Sequence, residues 1–124
     1  LILVDTPIWI DHLRRGDAGL TDLLARGAVV THPLVIVELA LGNLRRRALV
    51  LGALAELART VSASDDEVLA LIESAGLHAY GIGYVDAHLL ASARMTPGTS
   101  IWTRDKNFQA AVAACGLAAS VNEA

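Results

Sequence analysis

The chain's 124 residues are enough to bury a core without disulfide or metal staples, and they fit one domain spanning 1–124. Hydrophobic residues make up 54% and mean hydropathy is +0.49. Even so, longer apolar stretches such as "VLGALAELA" are interrupted by Gly or charge, and none approaches the ~20 residues that span a bilayer. The formal charge of −3 counts against a simple nucleic-acid binder.

In chain order, Leu1–Val4 reads as a short buried strand. Pro7 suits the first turn of a helix whose apolar face is Ile8, Trp9 and Leu13. "GDAGL" breaks that pattern, Asp17 caps a helix carrying Leu20, Leu23 and Leu24, and Gly27 stops it. Ala28–Thr31 is a second strand. Pro33 opens a helix to about Leu41, and another covers roughly Arg46–Ala58. Thr60–Ser62 is a weak third strand, followed by a helix capped by Ser64 or Asp65. Beyond the Gly-rich "GLHAYGIGY" come a helix over Val85–Arg94, a strand over Ser100–Thr103 and a helix over Asp105–Ala114. Ala118–Val121 is a last edge strand. Short apolar strands alternating with helices predict a parallel α/β sheet.

Two predicted helices carry an acid where an apolar residue is expected. Leu34, Val37, Glu38 and Leu41 share one face, and Asp86, Leu89, Leu90 and Ala93 share another. An isolated ionised carboxylate on such a stripe costs several kcal/mol unless it is paired or bound to a cation. Asp5 and Asp105 each follow a strand, at the sheet rim where open α/β folds bind ligands. Each acid also has a plain structural explanation. Asp5 or Thr6 can cap a helix, Asp86 and Asp105 lie in first turns that favour acids, and Glu38 can pair with an arginine. Taken together, four carboxylates at one rim repel one another, and a divalent cation removes the repulsion. An all-oxygen set points to Mg²⁺ or Mn²⁺ rather than zinc. The four histidines, His12, His32, His78 and His88, have no metal-ligand spacing and read as surface or supporting groups.

The motifs "VDTPIWIDHL", "VIVELALG", "GIGYVDAHLLASA" and "IWTRDKNF", in that order, resemble the acidic motifs of PIN-domain ribonucleases. They are most similar to VapC toxins of toxin–antitoxin modules. The resemblance implies a roughly five-stranded parallel sheet flanked by helices, and metal-dependent endonucleolytic cleavage of RNA. Carried over, Asp5, Glu38, Asp86 and Asp105 are the acids that hold the metal, and Thr6 and Thr103 are hydroxyls that orient carboxylates or water. Trp9 matches a packing aromatic. Two positions depart from the family pattern. Pro7 stands where a small hydroxyl residue is common, and Asn107 stands where some members carry a further acid. The expected products are a 5′-phosphate and a 3′-hydroxyl.

All the basic residues but Lys106 are arginine, which suits phosphate contacts. Arg45, Arg46, Arg47, Arg104 and Lys106 are the candidate RNA contacts. A single cysteine, Cys115, excludes an internal disulfide and suits a cytoplasmic protein. The first apolar run is short and lacks a basic start and a cleavage site, so no signal peptide is expected. The apolar excess over Leu34–Leu57 suggests a covered face. The family implies a homodimer and a cognate VapB-like antitoxin whose tail lies across the acidic pocket. Three other readings are a phosphatase of the haloacid dehalogenase type, a stand-alone PIN nuclease in RNA processing, and a non-catalytic PIN-fold binding module. Pro7 occupies the position where the phosphatase needs its second acid, and retention of all four acids weighs against the binding module.

Overall fold

A computed structural model describes residues 1–121. Its elements are β1 (Ile2–Val4), α1 (Thr6–Arg15), α2 (Ala18–Ala25), β2 (Val29–Val30), α3 (Pro33–Ala40), α4 (Arg47–Glu56), α5 (Asp65–Ala75), a 3₁₀ turn (Leu77–Ala79), α6 (Tyr84–Arg94), β3 (Ser100–Trp102) and α7 (Lys106–Ala114). The sheet order is β2-β1-β3, all parallel, with Ile2 opposite both Val29 and Ser100. Two further segments join its edges through single parallel bridges, Arg59 beside Thr31 and Ala118 beside Ile101. Five segments therefore run side by side, but only the middle three form full strands.

The expected strand at Thr60–Ser62 shrinks to that bridge for a visible reason. The Val61 N–H donates to Thr96 Oγ1 and the Ala63 N–H to Ser92 Oγ, each 3.0 Å. Side-chain hydroxyls at the end of α6 and just beyond it take the donors that a ladder would have used. The segment at Ala118–Val121 likewise contributes one bridge, flanked by the bonds Ile101 N to Leu117 O and Ala119 N to Ile101 O.

The strands are buried on both faces, as apolar parallel strands must be. Leu3, Val4, Val30 and Ile101 pack with Ile8, Leu39, Leu89, Leu90 and Phe108 in the core. α6 is the central helix. Ala87 through Ala93 are all buried, which explains its run of small and apolar residues. α5 opens on a capping box, with Ser64 and Glu67 satisfying each other's backbone donors, and Gly76 ends it in the left-handed conformation. Cys115 caps the C-terminus of α7 and packs at the core margin. No helix among the described residues is long and apolar enough to cross a membrane.

β1 connects through α1 and α2 to β2 on one side, while the chain after β3 crosses to the opposite edge. The connection direction therefore reverses between β1 and β3, which makes the crevice beyond their carboxyl ends the topological switch point. Asp5 follows β1 directly and Asp105 follows β3 after two residues.

Candidate active site

Asp5 follows β1 and caps α1. Its Oδ1 accepts from the Thr6 N–H at 2.9 Å, and its Oδ2 accepts from Thr103 Oγ1 at 2.7 Å. Its own backbone N–H continues the sheet by donating to Trp102 O. Thr103 Oγ1 in turn accepts from the Asp105 N–H at 3.1 Å, and Asp105 Oδ1 caps α7 by accepting from Phe108 N at 2.9 Å. On the other side, Thr6 Oγ1 donates to Glu38 Oε1 at 2.6 Å. A run of hydrogen bonds thus links Glu38, Thr6, Asp5, Thr103 and Asp105, although these residues come from three distant parts of the chain. Capping and clustering are not rivals here, because Asp5 and Asp105 do both.

Asp86 enters through its field rather than through this chain of bonds. Burial pushes its carboxyl up to about 6, and the charges of Asp5, Asp105 and Glu38 push the same way, against a small opposing pull from a backbone bond with Gly83. Asp5, only 4% exposed, is also raised. Burial is the main cause, opposed by the Thr103 and Thr6 bonds and reinforced by Glu38 and Asp105. The four predicted acids are therefore electrostatic neighbours.

The ion pairs among the described residues do not relieve this repulsion. They join Arg15 to Asp11, Arg26 to Asp22, Arg104 to Asp11 and Asp17, and His88 to Asp65. The donor set is all oxygen and mutually repelling, which is what a hard divalent cation neutralises. Among the described residues no three His, Cys, Asp or Glu side chains converge into a ready-made cage. An open arrangement of this kind fits Mg²⁺, which keeps several waters and takes one or two carboxylates plus substrate phosphate.

Two expectations change. The stripe of Leu34, Val37, Glu38 and Leu41 does not face the core. α3 buries Val35 and Leu39 instead, so Glu38 lies on the exposed side and meets no burial penalty there. The five candidate RNA contacts also differ in their surroundings. Arg104 bonds Asp17 at 2.6 Å and Asp11 at 3.2 Å and lies over the Trp102 ring, tying the end of β3 to α1 and to the cap of α2. Arg47 turns back to the carbonyls of Ala40 and Gly42 and closes the end of α3. Arg46 has left-handed φ and is exposed, as is Lys106. Arg45 lines a cavity that also includes Glu38.

Trp9 is buried, edge-on to His12. Asp11 and Asp17 lie 93 and 87 residues before Arg104, and no local pattern marks that pairing. Arg14, which shares the Glu38 cavity, was equally unmarked, because it reads as an ordinary last-turn cation.

A parallel α/β sheet with carboxylates at its switch point defines a class of site suited to metal-assisted phosphoester chemistry. The PIN-domain family model matches residues 2–113. Ribonuclease VapC32 of Mycobacterium tuberculosis, from strains CDC 1551 / Oshkosh and ATCC 25618 / H37Rv, is 48% identical over 118 residues, covering 95% of each chain. The chain belongs to the PIN-domain family and, within it, to the VapC-type ribonuclease toxins. Members of this family are generally metal-dependent.

Proposed function

We propose that this chain is an Mg²⁺- or Mn²⁺-dependent endoribonuclease that cuts RNA at the Asp5–Glu38–Asp86–Asp105 cluster. The observation that supports the reading is the run of hydrogen bonds that gathers Glu38, Asp5 and Asp105 at the sheet's switch point, with the half-buried Asp86 near enough to feel their charges. A protein that used these acids only as caps and ion-pair partners would have no reason to gather them.

A divalent cation bound there supplies charge neutralisation for the scissile phosphate and makes a water easier to deprotonate. Asp5, Asp86 and Asp105 are the residues that would hold it, with Glu38 beside them. Thr103 and the Thr6 N–H fix both oxygens of Asp5, so its carboxylate is oriented before substrate arrives. Glu38 is tied through Oε1 to Thr6. Its Oε2 has no partner among the described residues and is free to orient the attacking water and accept its proton. Attack of the water oxygen on phosphorus forms the new P–O bond as the P–O3′ bond breaks. The 3′ oxygen takes a proton from solvent. The products are a 5′-phosphate and a 3′-hydroxyl, with no need for the ribose 2′-hydroxyl. Sequencing both ends of fragments released by wild type and by Asp86→Asn tests this. A 2′,3′-cyclic phosphate end, or equal cutting by both proteins, would defeat it.

The same reading makes the chain the cytoplasmic toxin of a module whose VapB-like antitoxin masks the acids. An arginine of the antitoxin's tail entering the cluster would neutralise it as a cation does. Exposed Val37, Leu41 and Leu49 support a homodimer or a covering partner over α3 and α4.

A further inference from the structure

Beside the acid cluster lies a second feature that the cleavage reaction does not account for. The ends of α1 and α3, the chain between α3 and α4, and the first turns of α4 enclose a cavity of about 360 Å³. That volume falls in the ~300–1,000 Å³ range of small-molecule sites. Leu13, Leu39 and Leu44 line it with apolar surface, Arg14 and Arg45 reach it with guanidinium groups, and Asn43 adds an amide. Glu38 belongs to its wall as well, so the cavity is continuous with the acid cluster.

Arg15, Arg26 and Arg104 are committed to aspartates, and Arg47 to the backbone at the end of α3. Arg14 and Arg45 are exposed and have no ion pair among the described residues; the same holds for Arg46, Arg59, Arg94 and Lys106, and what sets Arg14 and Arg45 apart is that they line one cavity together. Two unspent guanidinium groups beside an apolar wall are the elements of a nucleotide site. The planar base lies on aliphatic or guanidinium surface, the phosphate meets arginine, and an amide reads a base edge. Position agrees with this. Arg14 is nine residues along α1 from the Asp5 cap, about 13 Å of helix rise, so it lies away from the scissile phosphate but within reach of the same strand.

We propose that this cavity is a subsite for a nucleotide flanking the cut in single-stranded RNA. Arg14 and Arg45 hold its phosphates, and Asn43 reads its base. The inference rests on the ribonuclease reading above and adds to it where sequence preference is set. Arg14 and Arg45 are positioning residues.

The test uses the full chain. Binding of a fluorescein-labelled single-stranded RNA of mixed sequence is measured in an Asp86→Asn background, which prevents turnover. Arg14→Ala and Arg45→Ala are each added to it, with Arg59→Ala, at the far sheet edge, as the control. Each cavity variant should weaken binding about 3–10-fold and lower the slope of log K against log salt by about 0.7. Melting temperatures should stay unchanged, because both side chains are exposed. In the otherwise wild-type enzyme the same changes should raise KM with kcat nearly intact. Asn43→Ala should flatten the base preference next to the cut, read by end sequencing. Affinity, salt slope and KM equal to those of the Arg59→Ala control would overturn the subsite while leaving the nuclease standing. Loss of affinity for an antitoxin tail peptide with unchanged RNA binding would assign the cavity to a protein partner and overturn it too. A wild type that neither binds nor cuts RNA would overturn both readings.

Discussion

In α3, the stripe of Leu34, Val37, Glu38 and Leu41 faces outward, with Val37 and Leu41 51% and 83% exposed. In α6, the matching stripe of Asp86, Leu89, Leu90 and Ala93 faces inward, and its three apolar members are buried. The sequence pattern is the same and the outcomes are opposite. Glu38 stays in contact with water and is steered by one hydroxyl, whereas Asp86 is half-buried among like charges and its carboxyl is pushed up to about 6. An acid on an apolar stripe therefore signals strain only where the stripe itself is buried. Two acids of one cluster can accordingly differ in what they cost the fold.

The largest expected effect comes from the strained member. Asp86→Asn should lower single-turnover RNA cleavage by about 100-fold or more, and at neutral pH it should leave the fold at least as stable, because a repelled charge is gone. Lower stability would break the contrast with Glu38. Saturating Mg²⁺ should stabilise the wild type by about 2.7 kcal/mol at a hundred times its dissociation constant. Differential scanning fluorimetry should show a clearly smaller rise for Asp86→Asn, and equal rises would remove Asp86 from the ion's surroundings.

The Thr103 hydroxyl bridges Asp5 and the Asp105 N–H inside the protein. Thr103→Val should therefore cost about 1–3 kcal/mol in urea unfolding. The pH arm is smaller. Native Asp86 holds its proton to about 6 whereas the unfolded chain releases it near 3.8. The native state thus binds more protons between those values, and stability falls as pH rises through that window. With chelator present, the loss between pH 4 and pH 7 should be roughly 1–2 kcal/mol after allowing for solvent screening. It should shrink in Asp86→Asn, where the raised Asp5 still contributes, and persist in Glu38→Gln. The smallest effect is Glu38→Gln itself, which should change stability at neutral pH by no more than about 0.5 kcal/mol while still lowering cleavage.

Local signals carried much of the architecture. Pro7 and Pro33 mark the first turns of α1 and α3, Ser64 with Glu67 marks the start of α5, and the valines and isoleucines of the strands mark burial on both faces. These depend on residues within a turn of one another, which a sequence displays directly. The four acids were also legible, because each breaks or ends a pattern. What they join was not. Thr6 reaches Glu38 across thirty-two positions and Thr103 reaches Asp5 across ninety-eight.

The arginines show the same limit from the other side. Side by side, Arg45, Arg46 and Arg47 read as one patch, yet one lines a cavity, one is exposed in a left-handed turn and one closes a helix. Arg104 looked like a phosphate contact because it adjoins Asp105, but its partners come from α1 and the cap of α2.

By itself, then, the chain's order of residues determined the alternation of strand and helix and the identity of the acids, since hydrophobic period and capping are local properties of the backbone. Only the tertiary structure decided which face of α3 turned outward, how far the edge segments paired, and which cations were spent on internal partners. Those outcomes depend on burial and on Coulomb energy between groups far apart in the chain, and both quantities exist only once the sheet has brought the ends of β1 and β3 together.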